Sequence, residues 1–285
     1  MDNISMQNLL DKYKGKIKYA GSQHPAIHQI KHVLNNASSE SERLSIADGI
    51  WAHQKLLKTD LPIHCFLTCP ELIYSSEGLE IIEGFINRAE ETFIVSKKLL
   101  GTISHRDGPD GFISLVQIPY FCLDGLKLVD NALILVLDGL ESPGNIGTIL
   151  RTCDGAAVDA VFICNKKVRI TNPKLVKGSM GAVFTIPAIE FDHAEECTKW
   201  LQAHDFRIYL ADTKAGATYK NLDYGGKTAL VLGNERYGIS GEWYSGNPQL
   251  ISIPMLGMCD SLNVGVAASV IAYEISMQKR MKGFV

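Results

Sequence analysis

The sequence predicts an α/β protein whose C-terminal half is built on a parallel sheet. Three short apolar runs in this half each end in a loop rich in Gly, Asn and Ser. The runs and the residues that follow them are 133–138 before Gly139, 229–232 before Gly233, and 251–255 before 261–263. Apolar runs that end in turn residues are typical of buried parallel strands. Open α/β sheets bind ligands beyond the carboxyl ends of their strands, so the three loops predict one composite site.

The N-terminal part predicts a small α/β unit. Residues 1–40 are predicted as a helical lead-in, because Ile27, Ile30 and Val33 fall on one helical face. Residues 41–57 are predicted to continue as one amphipathic helix. Three strands, at 63–68, 91–95 and 113–118, and a helix at 79–89 complete the unit. We therefore expect a first domain over 1–122, a linker over 123–131 and a second domain over 132–285.

Strand and helix patterns alternate in the second domain. The predicted strands lie near 133–138, 160–164, 184–188, 207–211, 229–233 and 250–253. The predicted helices lie near 145–156, 173–178, 192–204, 239–244 and 261–280. This alternation predicts a parallel sheet with helices on both faces.

Composition indicates a globular cytoplasmic protein. The chain is 46% hydrophobic and 21% charged, and no run reaches the length of a membrane helix. The first ten residues lack the pattern of a signal peptide. Seven scattered cysteines without zinc-finger spacing predict reduced thiols and no metal site.

Charge alone does not identify a partner. The net charge of −3 argues against a nucleic-acid partner, because domains that bind nucleic acids tend to be strongly basic. Two local basic segments remain, at 12–18 and at 166–177, and each could equally be an ordinary solvated face.

Several common catalytic and phosphate-binding motifs are excluded. Residues 225–228 resemble the end of a P-loop, but they precede a strand, and the position of the first P-loop glycine is occupied by Asn221. No G-x-G-x-x-G follows a strand, and neither G-x-S-x-G nor H-E-x-x-H occurs.

The three loops carry residues suited to a binding site. Gly233 at a strand end would let a flat ligand approach the main chain. Ser261 and Asn263 precede a helix of small residues and supply hydrogen-bonding groups at its N-terminus. Asn145 could serve only as a helix cap. Arg151 lies six residues further on, so it does not share a helical face with Asn145.

Together these loops resemble the three motifs of SPOUT-class RNA methyltransferases, in the SpoU/TrmH-like branch that methylates ribose 2′-hydroxyls. The matching residues are Leu137-Asp138-Gly139 with Pro143-Gly144-Asn145 and Arg151, Leu232-Gly233-Asn234-Glu235 with Gly238, and Ile253-Pro254-Met255 with Ser261-Leu262-Asn263. Asn172-Pro173-Lys174 and Ser179-Met180-Gly181 are also similar to the family. The resemblance covers roughly 130–280, and the N-terminal unit is similar, more weakly, to the ribosomal-protein-like RNA-binding domain of many members.

The resemblance implies a deep trefoil knot, a homodimer and S-adenosylmethionine as cofactor. It assigns the cofactor to Gly233, Ile253, Met255, Leu262 and Thr213. The family's polar catalytic positions correspond here to Asn145, Arg151, Glu235, Ser261 and Asn263. Because arginine stays protonated, we expect Arg151 to orient the hydroxyl or to clamp a phosphate rather than to act as a base. Lys177 stands where many members have arginine.

The implied function is 2′-O-ribose methylation of structured RNA. Ribosomal RNA is favoured because of the N-terminal unit, and a role in antibiotic resistance stays open. The alternatives are a catalytically silent RNA-binding or ribosome-assembly factor on the same fold, a transfer RNA ribose methyltransferase, and an enzyme that methylates a base.

Overall fold

The computed structural model describes residues 3–35, 42–104 and 108–281 of the chain. The chain divides into two compact units. The first contains Met1–Pro119 and Ile170–Thr185, and the second contains Tyr120–Arg169 and Ile186–Val285. The sequence analysis assigns the segment Ile170–Thr185 to the second domain, whereas the contacts group it with the first unit. None of the helices in the described ranges has the length and apolarity needed to cross a membrane.

The helices and strands follow one another in this order. The elements up to residue 119 are α1 (Asn3–Lys12), β1 (Ile17–Tyr19), α2 (Pro25–Leu34), β2 (Leu44–Asp48), α3 (Ile50–Leu56), β3 (Ile63–Thr68), α4 (Ser76–Arg88), β4 (Glu91–Ile94), α5 (Lys97–Ile103) and β5 (Phe112–Gln117). The later elements are β6 (Leu133–Asp138), α6 (Pro143–Gly155), β7 (Ala160–Cys164), α7 (Pro173–Ser179), β8 (Ala188–Phe191), α8 (Ala194–Ala203), β9 (Arg207–Ala211), β10 (Thr228–Leu232), β11 (Gln249–Ile251) and α9 (Val264–Met281).

The first unit is built on a mixed five-stranded sheet in the order β1-β4-β3-β5-β2. Strands β1 and β3 run parallel to β4, whereas β5 runs antiparallel to both β3 and β2. Helix α2 buries Ile27, Ile30 and Val33 in the core, as its periodicity predicts. The three strands predicted from the sequence are confirmed, with β1 and β2 added at the two edges.

The prediction of a single helix over 41–57 is wrong. Residues Leu44–Asp48 form β2, and its central residues Ser45, Ile46 and Ala47 are all buried. Gly49 has a φ of 89°, a conformation that favours glycine and that separates the strand from α3. The apparent helical spacing across 41–57 therefore joins two different elements.

The second unit is built on six parallel strands in the order β11-β9-β10-β6-β7-β8. Alternate residues of β6 and β7, among them Val136 and Phe162, face a core that includes Cys197 and Leu201 of α8. Helix α9 contacts β6 and β10 and packs along α6. The prediction of a parallel sheet flanked by helices is confirmed.

Three element bounds in this unit differ from the prediction. The strand expected at 184–188 begins only at Ala188, because Ala182–Phe184 forms a 3-10 turn. The helix expected at 239–244 is a 3-10 turn over Gly241–Tyr244. Helix α9 begins at Val264, so Ser261 and Leu262 lie in the preceding loop.

Small residues allow α6 and α9 to pack closely. A Cβ atom at Gly265 would lie 3.3 Å from the Thr148 methyl group. The hydroxyls of Thr152 and Ser269 are 2.7 Å apart, and Ser276 Oγ donates to the Ala156 carbonyl over 2.6 Å. The C-terminal helix is thereby fixed against the helix that follows the first loop.

The far end of α9 contains a buried lysine. Lys279 is only 4% exposed, and its Nζ donates to Asn131 Oδ1 over 3.1 Å and to the Gly226 carbonyl. Burial lowers the pKa of Lys279 to about 8, although the nearby Asp159 opposes that shift. The charged ammonium is therefore less favourable in the folded protein than in the unfolded chain.

This burial predicts a pH-dependent contribution to stability. The pKa of Lys279 is about 8 in the folded protein and 10.5 in the unfolded chain, so the unfolded chain holds more protons between these values. Its contribution to the free energy of unfolding should therefore increase by about 2 kcal/mol between about pH 8 and pH 10. Urea titrations would measure it as a rise with pH in the stability of the wild type relative to that of Lys279→Met. A difference that stays constant with pH would contradict the assignment.

Candidate active site

The loops singled out in the sequence lie at one edge of the six-stranded sheet. Strands β6 and β10 are neighbours, and β9 lies between β10 and β11. Because all these strands are parallel, their carboxyl ends share the same edge. The first loop follows β6, the second follows β10, and the third follows β11 and leads into α9.

A chain of hydrogen bonds joins the three loops. Asn145 Nδ2 donates to Glu235 Oε1 over 2.8 Å, which links the first loop to the second. Asn263 Nδ2 donates to Asn145 Oδ1 over 3.2 Å, which links the third loop to the first. Residues 90 and 118 positions apart in sequence thus meet at Asn145. We call Glu235, Asn145 and Asn263 the loop-joining triad.

Helix caps fix the two asparagines of the triad. Ser142 caps α6 by accepting from the Asn145 backbone N–H over 3.4 Å. The alternative in which Asn145 acts only as the cap is therefore wrong, and its amide is directed to the other loops. Asn263 Oδ1 accepts from the Gly265 N–H over 2.9 Å at the start of α9. The Ser142 cap therefore fixes the main chain at Asn145, and the cap of α9 fixes the side-chain amide of Asn263.

Two residues that the sequence analysis does not single out also hold the loops together. Asn234 Nδ2 donates to the Gly139 carbonyl over 2.8 Å, so the second loop is also tied to the first. The buried carboxylate of Asp138 accepts from Asn165 Nδ2 and from the Ser240 N–H, each over 2.7 Å. Both occur within the quoted motifs, and the signal for them is a polar residue at or just beyond the end of a buried strand.

Gly233 is required by the protein's own backbone. A Cβ atom there would lie 2.3 Å from both the carbonyl carbon of Gly238 and the nitrogen of Ile239. Asn234 and Gly238 form a two-residue bridge that folds the loop back onto Gly233. The space beside Gly233, where a ligand is expected to approach the main chain, is thus filled by the backbone of the second loop.

Arg151 and Ser261 lie outside the triad. Both are exposed, and Arg151 follows Asn145 by six residues within the continuous helix α6. Within the described part of the chain, neither side chain forms a hydrogen bond or ion pair. The structure therefore brings together three of the five predicted catalytic residues.

The predicted cofactor residues lie along the ends of three adjacent strands. Thr213 follows β9, Gly233 follows β10, and Ile253 follows β11. Ile253 and Met255 are half-buried, and Leu262 is 38% exposed, so apolar surface is accessible at this edge.

The loop that carries Thr213 is held from two sides. Tyr244 donates its hydroxyl to Asp212 Oδ2 over 2.6 Å, and Ser252 Oγ donates to the Ala215 carbonyl over 3.0 Å. Burial, followed by the hydrogen bond to Asp212, raises the pKa of Tyr244 to about 12. The phenol therefore stays protonated and able to donate near neutral pH.

Comparison with known proteins identifies the family. Residues 132–273 match the model of the SpoU rRNA Methylase family, and the chain belongs to this family. The resemblance inferred from the three motifs is therefore confirmed. The predictions of an RNA methyltransferase and of S-adenosylmethionine as its methyl donor are confirmed with it.

Individual relatives agree with this assignment. A 23S rRNA (uridine(2479)-2′-O)-methyltransferase of Streptomyces viridochromogenes is 27% identical over 201 residues, which are 69% of this chain and 70% of the relative. A crystal structure of an RNA 2′-O ribose methyltransferase superposes with a TM-score of 0.79 at 27% identity, over 92% of this chain and 99% of the other. The S-adenosylmethionine complex of the SpoU methyltransferase AviRb shares the fold, with a TM-score of 0.78 at 24% identity over 90% and 99%.

The contacts at Gly233 predict the effect of a single methyl group. In Gly233→Ala the new Cβ would meet main-chain atoms that cannot move without opening the second loop. We expect a loss of about 1–3 kcal/mol in the free energy of unfolding. Gly241→Ala is the matched control, because a Cβ there meets nothing within 4 Å. Equal stability of the two variants in thermal denaturation would refute this account of the loop.

Proposed function

We propose that this protein transfers the methyl group of S-adenosylmethionine to a ribose 2′-hydroxyl of structured RNA, with ribosomal RNA as the substrate class. The observation that carries the proposal is the loop-joining triad at the carboxyl edge of the parallel sheet. It fixes three polar loops in one place, and its members correspond to the family's catalytic positions.

The residues at this edge fit the methyl donor. Ile253, Met255 and Leu262 offer partly exposed apolar side chains suited to an adenine ring. Gly233 and Thr213 follow the neighbouring strands β10 and β9, where their main-chain groups and the Thr213 hydroxyl offer polar partners. When bound, the donor supplies a sulfonium methyl group to the acceptor oxygen.

The reaction makes a bond from the ribose oxygen to the methyl carbon and breaks the bond from that carbon to sulfur. The hydroxyl proton must leave, and water or a phosphate of the RNA is its acceptor. Arg151 cannot accept it, because a guanidinium stays protonated. Its five donors can instead orient the hydroxyl or hold an adjacent phosphate in the fork geometry that suits this group.

The triad contributes by positioning. Glu235 accepts from Asn145, and its second oxygen lies 3.4 Å from the Glu141 N–H, so this side chain is already engaged by the protein. We therefore assign Glu235 as a positioning residue that orients Asn145. Asn145 and Asn263 would then face the acceptor ribose, and Ser261 would join them from the third loop. Holding reactants in line can supply a large part of the acceleration.

We further propose that the chain is a homodimer and that the segment through β11 and α9 forms a trefoil knot. The two hydrogen bonds from Ser252 to the 215–217 loop and the return of α9 to β6 and β10 support the knot. Val266, Tyr273 and Met277 support the dimer, since they form an exposed apolar stripe on α9.

The dimer predicts an effect of charge on that stripe. Met277 is 53% exposed, so Met277→Glu should leave the fold intact but place a charge in the proposed interface. We expect sedimentation equilibrium to give a dimer for the wild type and a monomer for the variant. A wild-type protein that sediments as a monomer at micromolar concentration would exclude the dimer.

The proposed reaction can be tested directly. Total RNA is incubated with the protein and with S-adenosylmethionine carrying a labelled methyl group, and digested nucleosides are separated by mass spectrometry. We expect label in a 2′-O-methylated nucleoside, at a position in ribosomal RNA that primer extension then locates. Label on a base or in transfer RNA would replace the proposal with one of the alternatives. Cofactor binding without transfer to any RNA would indicate a silent factor.

The role of Arg151 predicts sensitivity to a conservative change. Arg151→Lys keeps the charge but loses the planar fork, so turnover should fall roughly 100-fold while cofactor affinity is unchanged. Arg207→Lys is the control and should keep full turnover, because Arg207 lies at the amino end of β9, away from the loops at the carboxyl ends of the strands. Single-turnover rates and calorimetry measure the two quantities. Near-normal turnover in Arg151→Lys would rule out a role that needs the guanidinium.

A further inference from the structure

Both basic segments contain paired lysines, and in the second segment Lys166 pairs with Glu190 over 3.0 Å. In the first segment Lys12 pairs with Glu83 over 2.7 Å, and Lys18 pairs with Glu91 over 2.9 Å. Lys16 donates to Asn87 over 3.1 Å. Three lysines of this segment are thus engaged by side chains of the same unit, and the segment behaves as a solvated, internally paired face.

The second segment continues into α7, which belongs to the first unit. Ser45 Oγ of β2 donates to the Thr171 carbonyl over 2.8 Å, just before α7 begins. After α7 the chain turns at Gly181, whose φ is 86° and whose Cβ position lies 3.1 Å from Ala52 Cα. These contacts hold α7 beside β2 and near α3.

Trp51 lies in the groove that this arrangement creates. The groove is lined by residues of β2, α3 and the α7 segment, namely Ile46, Asp48, Trp51, Ala52, Val176, Lys177 and Met180. Trp51 is 57% exposed, whereas Trp243 is 1% exposed. A large aromatic ring is thus presented to solvent on a surface fixed by two helices.

The two helices beside this ring are basic, although Asp48 lines the groove and Asp110 accepts from the Ile50 N–H at the start of α3. Helices α3 and α7 contain no Asp or Glu, and they carry Lys55, Lys174 and Lys177. Lys174 and Lys177 are exposed and three positions apart, so they share one face of α7. Asp48 at the base of the groove accepts from Ser104 Oγ over 2.9 Å.

We propose that Trp51 is a stacking platform for an unpaired base of the RNA substrate, with Lys55, Lys174 and Lys177 binding the flanking phosphates. An exposed aromatic ring beside lysines is the pattern by which proteins bind unpaired nucleotides, because every base has a π face. This inference rests on the proposed function for the identity of the ligand as RNA. It assigns substrate recognition to a surface that combines Trp51 of α3 with lysines of α7.

The test separates RNA recognition from chemistry. In Trp51→Ala the KM for ribosomal RNA should increase about tenfold, whereas kcat at saturating RNA and the Kd for S-adenosylmethionine should stay unchanged. Trp51→Phe should restore most of the loss, since it keeps a ring. Tyr19→Ala is the matched control, because Tyr19 is 80% exposed but does not line this groove.

A binding readout that needs no methylation completes the test. A short single-stranded RNA oligonucleotide should quench the tryptophan fluorescence of the wild type and leave that of Trp51→Phe unaffected. Lys177→Gln should reduce the salt dependence of this binding. Quenching at Trp51 without methyl transfer would support this inference and overturn the proposed function. Methyl transfer with an unchanged KM in Trp51→Ala, or binding of protein rather than RNA at this groove, would overturn the inference alone.

Discussion

The arrangement of the site depends on one interaction, the hydrogen-bonded contact of Asn145 with Glu235 on one side and Asn263 on the other. The loops lie outside the buried cores of the sheet, so packing alone does not fix their positions. The strands bring the loops to one edge of the sheet, and the Asn145 amide links the first loop to both of the others. Since an amide has both a donor and an acceptor, Asn145 can serve both neighbours at once.

Helices α6 and α9 hold the two asparagines of this contact in place. Ser142 and the Asn263 side chain cap α6 and α9, and the close packing of these helices sets the separation of the two asparagines. Asp138 and Asn234 add further ties between the first and second loops. A reaction that depends on alignment, such as displacement at a methyl carbon, benefits from groups held before the substrate arrives.

Sequence reasoning predicts the fold best where a single element buries one continuous pattern. The parallel strands β6, β7, β9 and β10 can be predicted from the sequence because their apolar runs are bounded by turn residues. The prediction of a helix over 41–57 is wrong because a strand and a helix separated by a glycine can together give apolar residues a helical spacing. The three motifs contain the residues of the loop-joining triad. No periodicity indicates that Asn145 contacts both Glu235 and Asn263, because these contacts span 90 and 118 positions. The role of Gly233 also follows only from the folded loop, whose backbone occupies the space beside it.

The most direct measurement of the central claim is a double-mutant cycle at Asn145 and Glu235. Asn145→Asp places a second carboxylate at the 2.8 Å contact with Glu235, and like charges at that distance repel. We predict that Asn145→Asp alone weakens S-adenosylmethionine binding in calorimetry. Adding Glu235→Gln, whose amide can donate to the new carboxylate, should restore most of the affinity, although Glu235→Gln alone changes it little. Strictly additive effects of the two substitutions would contradict the claim that this contact holds the loops together.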